Sequence, residues 1–253
     1  MNTNLKTFKA GSILVLSALW AGCGGGGVQQ TPNAPSTSTV SPASQDWADK
    51  FEVSQKHLVT DGKNPFFILE PGYQLLLKGE DEGSSFELTI TVLNETKNLA
   101  GFMTRVIEER ETRGGQVVEV SRNFFSIDRN TKAVYYLGED VDLYKDGKVT
   151  GHDGSWAAGR DGAKLGMAMP GAPAVGEKFY QEMAPNVAMD RAEIVSLNET
   201  ITTPAGTFTN CLKTRETNAL KPTEEEFKFY APGIGLVKEE ELLLVKYGNA
   251  DHP

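Results

Sequence analysis

Across residues 86–156 apolar and polar side chains alternate through successive runs separated by turn signals. Phe86, Leu88, Ile90 and Val92 fall on one side of an extended chain while Glu87, Thr89 and Thr91 fall on the other. This period of two is that of a strand with one buried face. The pattern predicts strands at 73–78, 86–93, 102–109, 116–127 and 133–144, joined by short polar turns. The sharpest turn signal is Lys145-Asp146-Gly147-Lys148. An Asp-Gly pair between two strands favours the positive backbone angles of a type I′ hairpin. Strand character resumes at 177–182, 192–197, 208–215, 227–230 and 236–247. The expected fold is all-β, an antiparallel meander forming a strongly curved sheet or open barrel with few short helices.

Three stretches interrupt this pattern. Residues 46–59 fit either one amphipathic helix or an irregular lead-in, with Trp47, Phe51 and Leu58 free to pack. Residues 64–72 contain Pro65 and Pro71-Gly72 and read as an extended segment crossing the sheet before a turn. Residues 151–176 are Gly-rich and without period, and a connection this long in a compact domain is usually functional or disordered. It is expected to lie across one mouth of the sheet. Trp156, Met167 and Met169 on it are candidates for an apolar pocket. The plainer reading is that they plug one end of the sheet as core, since Met fills irregular gaps.

The N-terminus changes the picture of where the domain resides. Lys6 and Lys9 precede an apolar run at 13–20, followed at once by Ala21-Gly22-Cys23. Residues 1–22 therefore read as a signal peptide. Ala21-Gly22-Cys23 resembles a bacterial lipobox, with Trp20 where an aliphatic residue is usual. The resemblance implies that the Cys23 thiol carries a lipid and becomes the new N-terminus. Residues 23–45, rich in Gly, Ser and Pro, read as a flexible tether, and 46–253 as a single β domain. The expected location is the cell envelope, as a membrane-anchored lipoprotein of the outer membrane or cell surface.

The whole chain of 253 residues is 39% hydrophobic and 23% charged, enough for a sizeable core. Its net charge of −9 disfavours nucleic acid, because no basic stripe is present to neutralise phosphates. With Cys23 assigned to lipid, Cys211 is the one remaining thiol and is expected to be a buried structural residue.

Candidate chemistry is sparse. Asp140, Asp142, Asp146 and Asp153 gather near one hairpin and are weak calcium candidates, with a solvated acidic edge as the plainer reading. Glu182, Asp190 and Glu193 could in principle supply a pair of carboxylates for acid–base hydrolysis. The runs 224–226 and 239–241, each three glutamates, read as solubilising faces. No nucleophile–base pair, transition-metal spacing or phosphate loop is recognisable, and no catalytic residue or cofactor is assigned.

Several motifs together resemble an uncharacterised family of bacterial exported proteins. They are Asn64-Pro65-Phe66-Phe67 with Pro71-Gly72, Val134-Tyr135-Tyr136-Leu137-Gly138-Glu139-Asp140, and Gly154-Ser155-Trp156 with Asp161-Gly162-Ala163. Pro204-Ala205-Gly206-Thr207-Phe208, Asn210-Cys211-Leu212-Lys213-Thr214 and Phe229-Tyr230-Ala231-Pro232-Gly233-Ile234-Gly235-Leu236-Val237 complete them. The last segments also resemble periplasmic lipoprotein carriers built on an open half-barrel sheet, a likeness of fold more than of function. The sequence thus leads to two expectations. One is a lipid-anchored envelope protein whose β domain binds an apolar small molecule or an envelope protein. The other is a carboxylate-dependent, calcium-assisted hydrolase of the cell envelope.

Overall fold

The computed structural model describes residues 46–249 apart from Glu82. The expected signal peptide 1–22, the tether 23–45 and Cys23 lie outside the described residues. In chain order the strands are β1 (Leu58–Val59), β2 (Gly62–Asn64), β3 (Phe67–Leu69), β4 (Tyr73–Asp81), β5 (Ser84–Leu99) and β6 (Phe102–Arg113). Next come β7 (Gln116–Asp128), β8 (Val134–Lys145), β9 (Lys148–Gly151), β10 (Trp156–Ala157), β11 (Gly166–Met169) and β12 (Lys178–Tyr180). The last are β13 (Asp190–Thr203), β14 (Gly206–Asn218), β15 (Lys221–Ala231), β16 (Gly235–Glu239) and β17 (Leu242–Asn249).

All but β2 and β3 belong to one antiparallel sheet in the order β10-β8-β7-β6-β5-β4-β17-β16-β15-β14-β13-β12. Each hairpin places sequence neighbours side by side, and one long-range pairing, β17 on β4, joins the two halves. The short helices expected from the sequence are absent among the described residues, and the lead-in at 46–57 has no helix. It is tied down instead by a parallel bridge between Ala48 and Phe179 and by Trp47 edge-on to Tyr180.

The sheet curls strongly but does not close into a barrel. Register shifts in β5, β13 and β14 add local twist to these long strands. The 151–176 connection runs back along the free edge of β8, pairing there as β9, β10 and β11 in turn. It thereby covers an edge that would otherwise offer unpaired backbone groups. Its far side meets the other end of the sheet, where the Lys164 N–H donates to the Met183 carbonyl at 2.9 Å. Gly166 permits this approach, since a Cβ there would sit 2.0 Å from the Gln181 carbonyl oxygen.

Two apolar clusters form the core. One apolar cluster joins Phe124, Ile127 and Leu137 of the first half to Phe179, Ile194 and Leu212 of the second. A second gathers Leu77, Phe86, Leu88, Val237 and Leu244 around the β17–β4 junction. The two-stranded β2–β3 hairpin turns at Pro65-Phe66. Asn64 anchors it: its Nδ2 donates to the Lys132 and Pro170 carbonyls, each at 2.8 Å, and its Oδ1 accepts from the Phe66 N–H at 2.7 Å.

Candidate functional site

Inside the curl lies a cavity of about 280 Å³. One wall is apolar, formed by Leu75 on β4 and by Phe86, Leu88, Ile90 and Val92 on β5, the residues whose alternation defines the strand. The next strand breaks the rule. On β6 the inward positions opposite Val92, Ile90 and Leu88 are Ile107, Glu109 and Glu111. Both glutamates line the cavity. On β7 their neighbours are Asn123, Ser121 and Glu119, so the polar row continues.

It continues again on β8, where Glu139 pairs with Asn123 and is almost fully buried. The Tyr136 hydroxyl lies 2.7 Å from Asn123 Oδ1 and 3.1 Å from Glu139 Oε2. Burial, helped by the Glu139 charge, drives the Tyr136 phenol well above its ordinary range. Glu139 is likewise pushed far up by burial, which outweighs the lowering effect of the Tyr136 hydrogen bond. Its second oxygen, Oε1, and Trp156 Nε1 have no hydrogen-bond partner among the described residues.

The opposite wall holds the one lysine among the residues lining the cavity. Lys228 on β15 is flanked in register by Thr214 on β14 and Glu239 on β16. Its Nζ lies 3.1 Å from Glu239 Oε1, 3.2 Å from Glu226 Oε1 and 3.5 Å from Glu216 Oε2. Desolvation opposes the ammonium, but these three carboxylates overcome it and hold Lys228 well above the ordinary lysine range. Glu216 is fixed further by the Thr214 hydroxyl, which donates to its Oε1 at 2.9 Å. Glu226 is buried outright and desolvation carries its carboxyl well upward despite the adjacent ammonium.

Between the two walls Glu182 and Asp190 share a hydrogen bond, with Asn218 Nδ2 donating to Asp190 Oδ1 at 2.9 Å. Burial first, and then the Asp190 charge, raise the Glu182 carboxyl well above the carboxylate range. The hydrogen bond between the two acids and their mutual repulsion both favour the protonated form of Glu182. Glu109 and Glu111 are half-exposed, and as cavity-lining groups they are exposed to an enclosed space. Burial pushes Glu109 to about 7 and Glu111 to about 8. Chemically this is an interior with a hydrocarbon wall and a row of carboxyls whose ionisation burial disfavours, with Lys228 offsetting one group of them.

The residues singled out from sequence fall in different surroundings. Trp156 and Met169 are buried in the main core and Met167 packs against it. They stand behind the cavity, which is lined there by Ala168 and by Tyr136, whose ring meets Trp156 edge-on. Asp140 pairs with Lys97 at 2.6 Å, Asp142 with His152 at 2.9 Å, Asp146 occupies the hairpin turn and Asp153 is exposed. No group of three or more His, Cys, Asp or Glu able to hold a metal occurs among the described residues.

Of the carboxylates weighed for hydrolysis, Glu182 and Asp190 are brought together, whereas Glu193 faces outward onto Arg215 and Lys178. Cys211 is fully buried, its thiol 3.5 Å from the Phe208 carbonyl, and burial raises it above the ordinary thiol range. The glutamate runs read as solubilising faces are a correction, since Glu226 is interior and Glu239 lines the cavity. Glu109, Glu111, Glu216 and Lys228 were not singled out at all. Their one signal was a polar residue at inward positions of strands, as in Glu226, Lys228 and Tyr230 spaced by two.

Residues 175–242 match a family model described as DUF3108-like. No curated protein and no solved structure matches the chain. The matched stretch runs from just before β12 to the start of β17 and so contains Lys228 and the carboxylates that hold it, but not Glu109, Glu111 or Glu139. Over these residues the chain is similar to an uncharacterised family.

Proposed function

We propose that the protein is a lipid-anchored binding protein of the cell envelope whose curved sheet holds an amphipathic small molecule. The observation that carries this is the cavity itself, in which the apolar wall of β4 and β5 and the carboxyl row of β6 face the same space. Small-molecule sites are usually apolar concavities with a few convergent polar groups, of roughly 300 Å³ upward. This cavity is close to that lower bound, which suits a short chain or a single ring system better than a full phospholipid. Anchoring rests on Ala21-Gly22-Cys23 and on the tether that follows it.

The test is native mass spectrometry of protein purified from its own envelope, for the wild type and for Ile90→Trp, which fills the cavity from its apolar wall. A co-purifying small molecule on the wild type and its loss from the variant is the expected result. Absence of any bound mass, together with no saturable binding of apolar probes, would reject the reading.

One observation favours a second reading, an envelope hydrolase. Two hydrogen-bonded, buried carboxyls of which one is raised by the other, as Glu182 is by Asp190, resemble the acid–base pairs of hydrolases. Turnover of envelope glycans or peptides by the wild type, abolished in both Glu182→Gln and Asp190→Asn, would establish it over simple binding.

A further inference from the structure

We infer that the polar end of the cavity receives a cationic nitrogen, so that the ligand is a cationic amphiphile such as a primary or quaternary alkyl ammonium. The inference rests on the binding function proposed above and names its chemical class.

The charge inventory is lopsided. Among the residues lining the cavity Lys228 is the one cation, and it already lies within 3.5 Å of carboxylates of Glu216, Glu226 and Glu239. It has little positive charge left to offer an anionic headgroup. Glu109 and Glu111 face the same space and take part in no ion pair among the described residues. A carboxylate, sulfate or phosphate group entering there would oppose any ionisation of these two acids and would find only an already engaged Lys228 to offset its charge. An ammonium would find acceptors that ionise on its arrival and release their protons.

Two further observations point the same way. Behind the Tyr136 ring that lines the cavity, Glu139 adds one more buried acid to this wall, its Oε1 without a hydrogen-bond partner among the described residues. Tyr136 is stacked on Phe125 with centroids 4.5 Å apart, and both rings line the cavity. Aromatic faces attract a bound ammonium through the charge distribution of the ring. The entrance has the same bias. Glu240 and Glu241, exposed in the turn between β16 and β17, also line the cavity and lend its mouth negative charge that draws cations inward.

The experiment is calorimetric titration of the full protein near neutral pH with three probes of equal chain length, octylammonium, 1-octanol and octanoate. The expected order is octylammonium tightest, by about tenfold over octanol, with octanoate weakest. Binding of octylammonium should release protons, seen as a binding enthalpy that changes with the ionisation enthalpy of the buffer. In Glu109→Gln/Glu111→Gln the ammonium preference over octanol should largely vanish while octanol still binds. Octanoate binding as tightly as octylammonium, or an ammonium preference intact in the double variant, overturns the inference. Failure of all three probes to bind would reject the binding cavity itself, whereas octanol binding without ammonium preference rejects only the headgroup. The probe series on the wild type decides the matter even if the double variant does not fold.

Discussion

Lys228 Nζ lies 3.1 Å from Glu239 Oε1, and the two residues are direct antiparallel partners on β15 and β16. The same ammonium reaches Glu226 along its own strand and Glu216 on β14, so one lysine offsets carboxylates from three adjacent strands. Removing one partner of a buried ionic group leaves the others uncompensated, which costs about 3–5 kcal/mol. Lys228→Met should therefore lose stability of about that size, measured as a lower urea midpoint. Because the orphaned acids can escape by taking up protons, the loss should be larger at alkaline than at mildly acidic pH. An unchanged midpoint would show that the three carboxylates do not depend on Lys228.

Glu109 and Glu111 make folding depend on pH in an unusual direction for carboxyls. Their folded values of about 7 and about 8 lie above the ordinary 4.5, so below 4.5 both states hold the proton and nothing is lost. Between 4.5 and about 8 the unfolded chain binds fewer protons than the folded one, and stability declines as pH rises. The groups facing them set how steep this is. Beyond burial, Glu239 raises both and Glu109 raises Glu111 further, while Lys228 lowers both and Arg113 lowers Glu111. Glu119 stands beside Glu111 on β7, and Tyr136 is within electrostatic reach of Glu109 and Glu182. The melting temperature should fall from pH 5 toward pH 8, and Glu109→Gln/Glu111→Gln should flatten that slope. An equal slope in the variant would refute the assignment.

The meander was legible because the apolar alternation of β5 and the turn chemistry of Asp146-Gly147 act locally. The missed features depend on neighbours distant in sequence. Residues 236–247 read as one strand, but Glu240 takes a left-handed φ of 46° and the chain reverses into β16 and β17. The sequence marks that turn only by the polar run 238–241, which lacks Gly, Pro or Asn and reads as a solubilising face; the close approach to Gly79 of β4, where a Cβ would meet the Glu241 carbonyl at 2.3 Å, belongs to the packing alone. The acidic interior was hidden for a similar reason. A glutamate at an inward strand position looks identical in sequence to one at an outward position until the register of β6 against β5 is known. Glu182 and Asp190 were picked out as carboxylates, yet their meeting requires the pairing of β13 with β14 and the turn that returns 181–182 to Asp190.

Asn64 joins three pieces of chain through one side chain. It caps the β2–β3 turn and holds the carbonyls of Lys132, after β7, and of Pro170, after β11. Asn64→Ala would leave these buried groups without their partner, and an unsatisfied buried polar group costs about 1–3 kcal/mol. Asn64→Asp should do no better, because a carboxylate cannot donate to the two carbonyls. Thermal denaturation of both variants checks this, with equal stability of Asn64→Asp and the wild type as the result that contradicts it.

Gly166 offers a direct probe of the place where the two ends of the sheet meet. A Cβ at this position would lie 2.0 Å from the Gln181 carbonyl oxygen and 2.9 Å from that of Tyr180, both backbone atoms that cannot swing aside. Gly166→Ala must therefore separate β11 from the end of β12 and weaken the Lys164 N–H to Met183 carbonyl bond. Forced overpacking of this kind costs about 1–3 kcal/mol. Gly151→Ala is the matched control, since its Cβ would meet only Leu143 Cδ1 at an ordinary 3.7 Å and its backbone needs no positive φ. Hydrogen exchange should report faster exchange of the Lys164 amide in Gly166→Ala, with β4–β6 unchanged, and no difference in Gly151→Ala. Because Glu182 follows Gln181 directly, the same opening should admit water to the Glu182–Asp190 pair and bring the raised Glu182 carboxyl back toward its ordinary range. Protection of Lys164 equal to that of the wild type would mean that the two edges do not depend on the missing side chain.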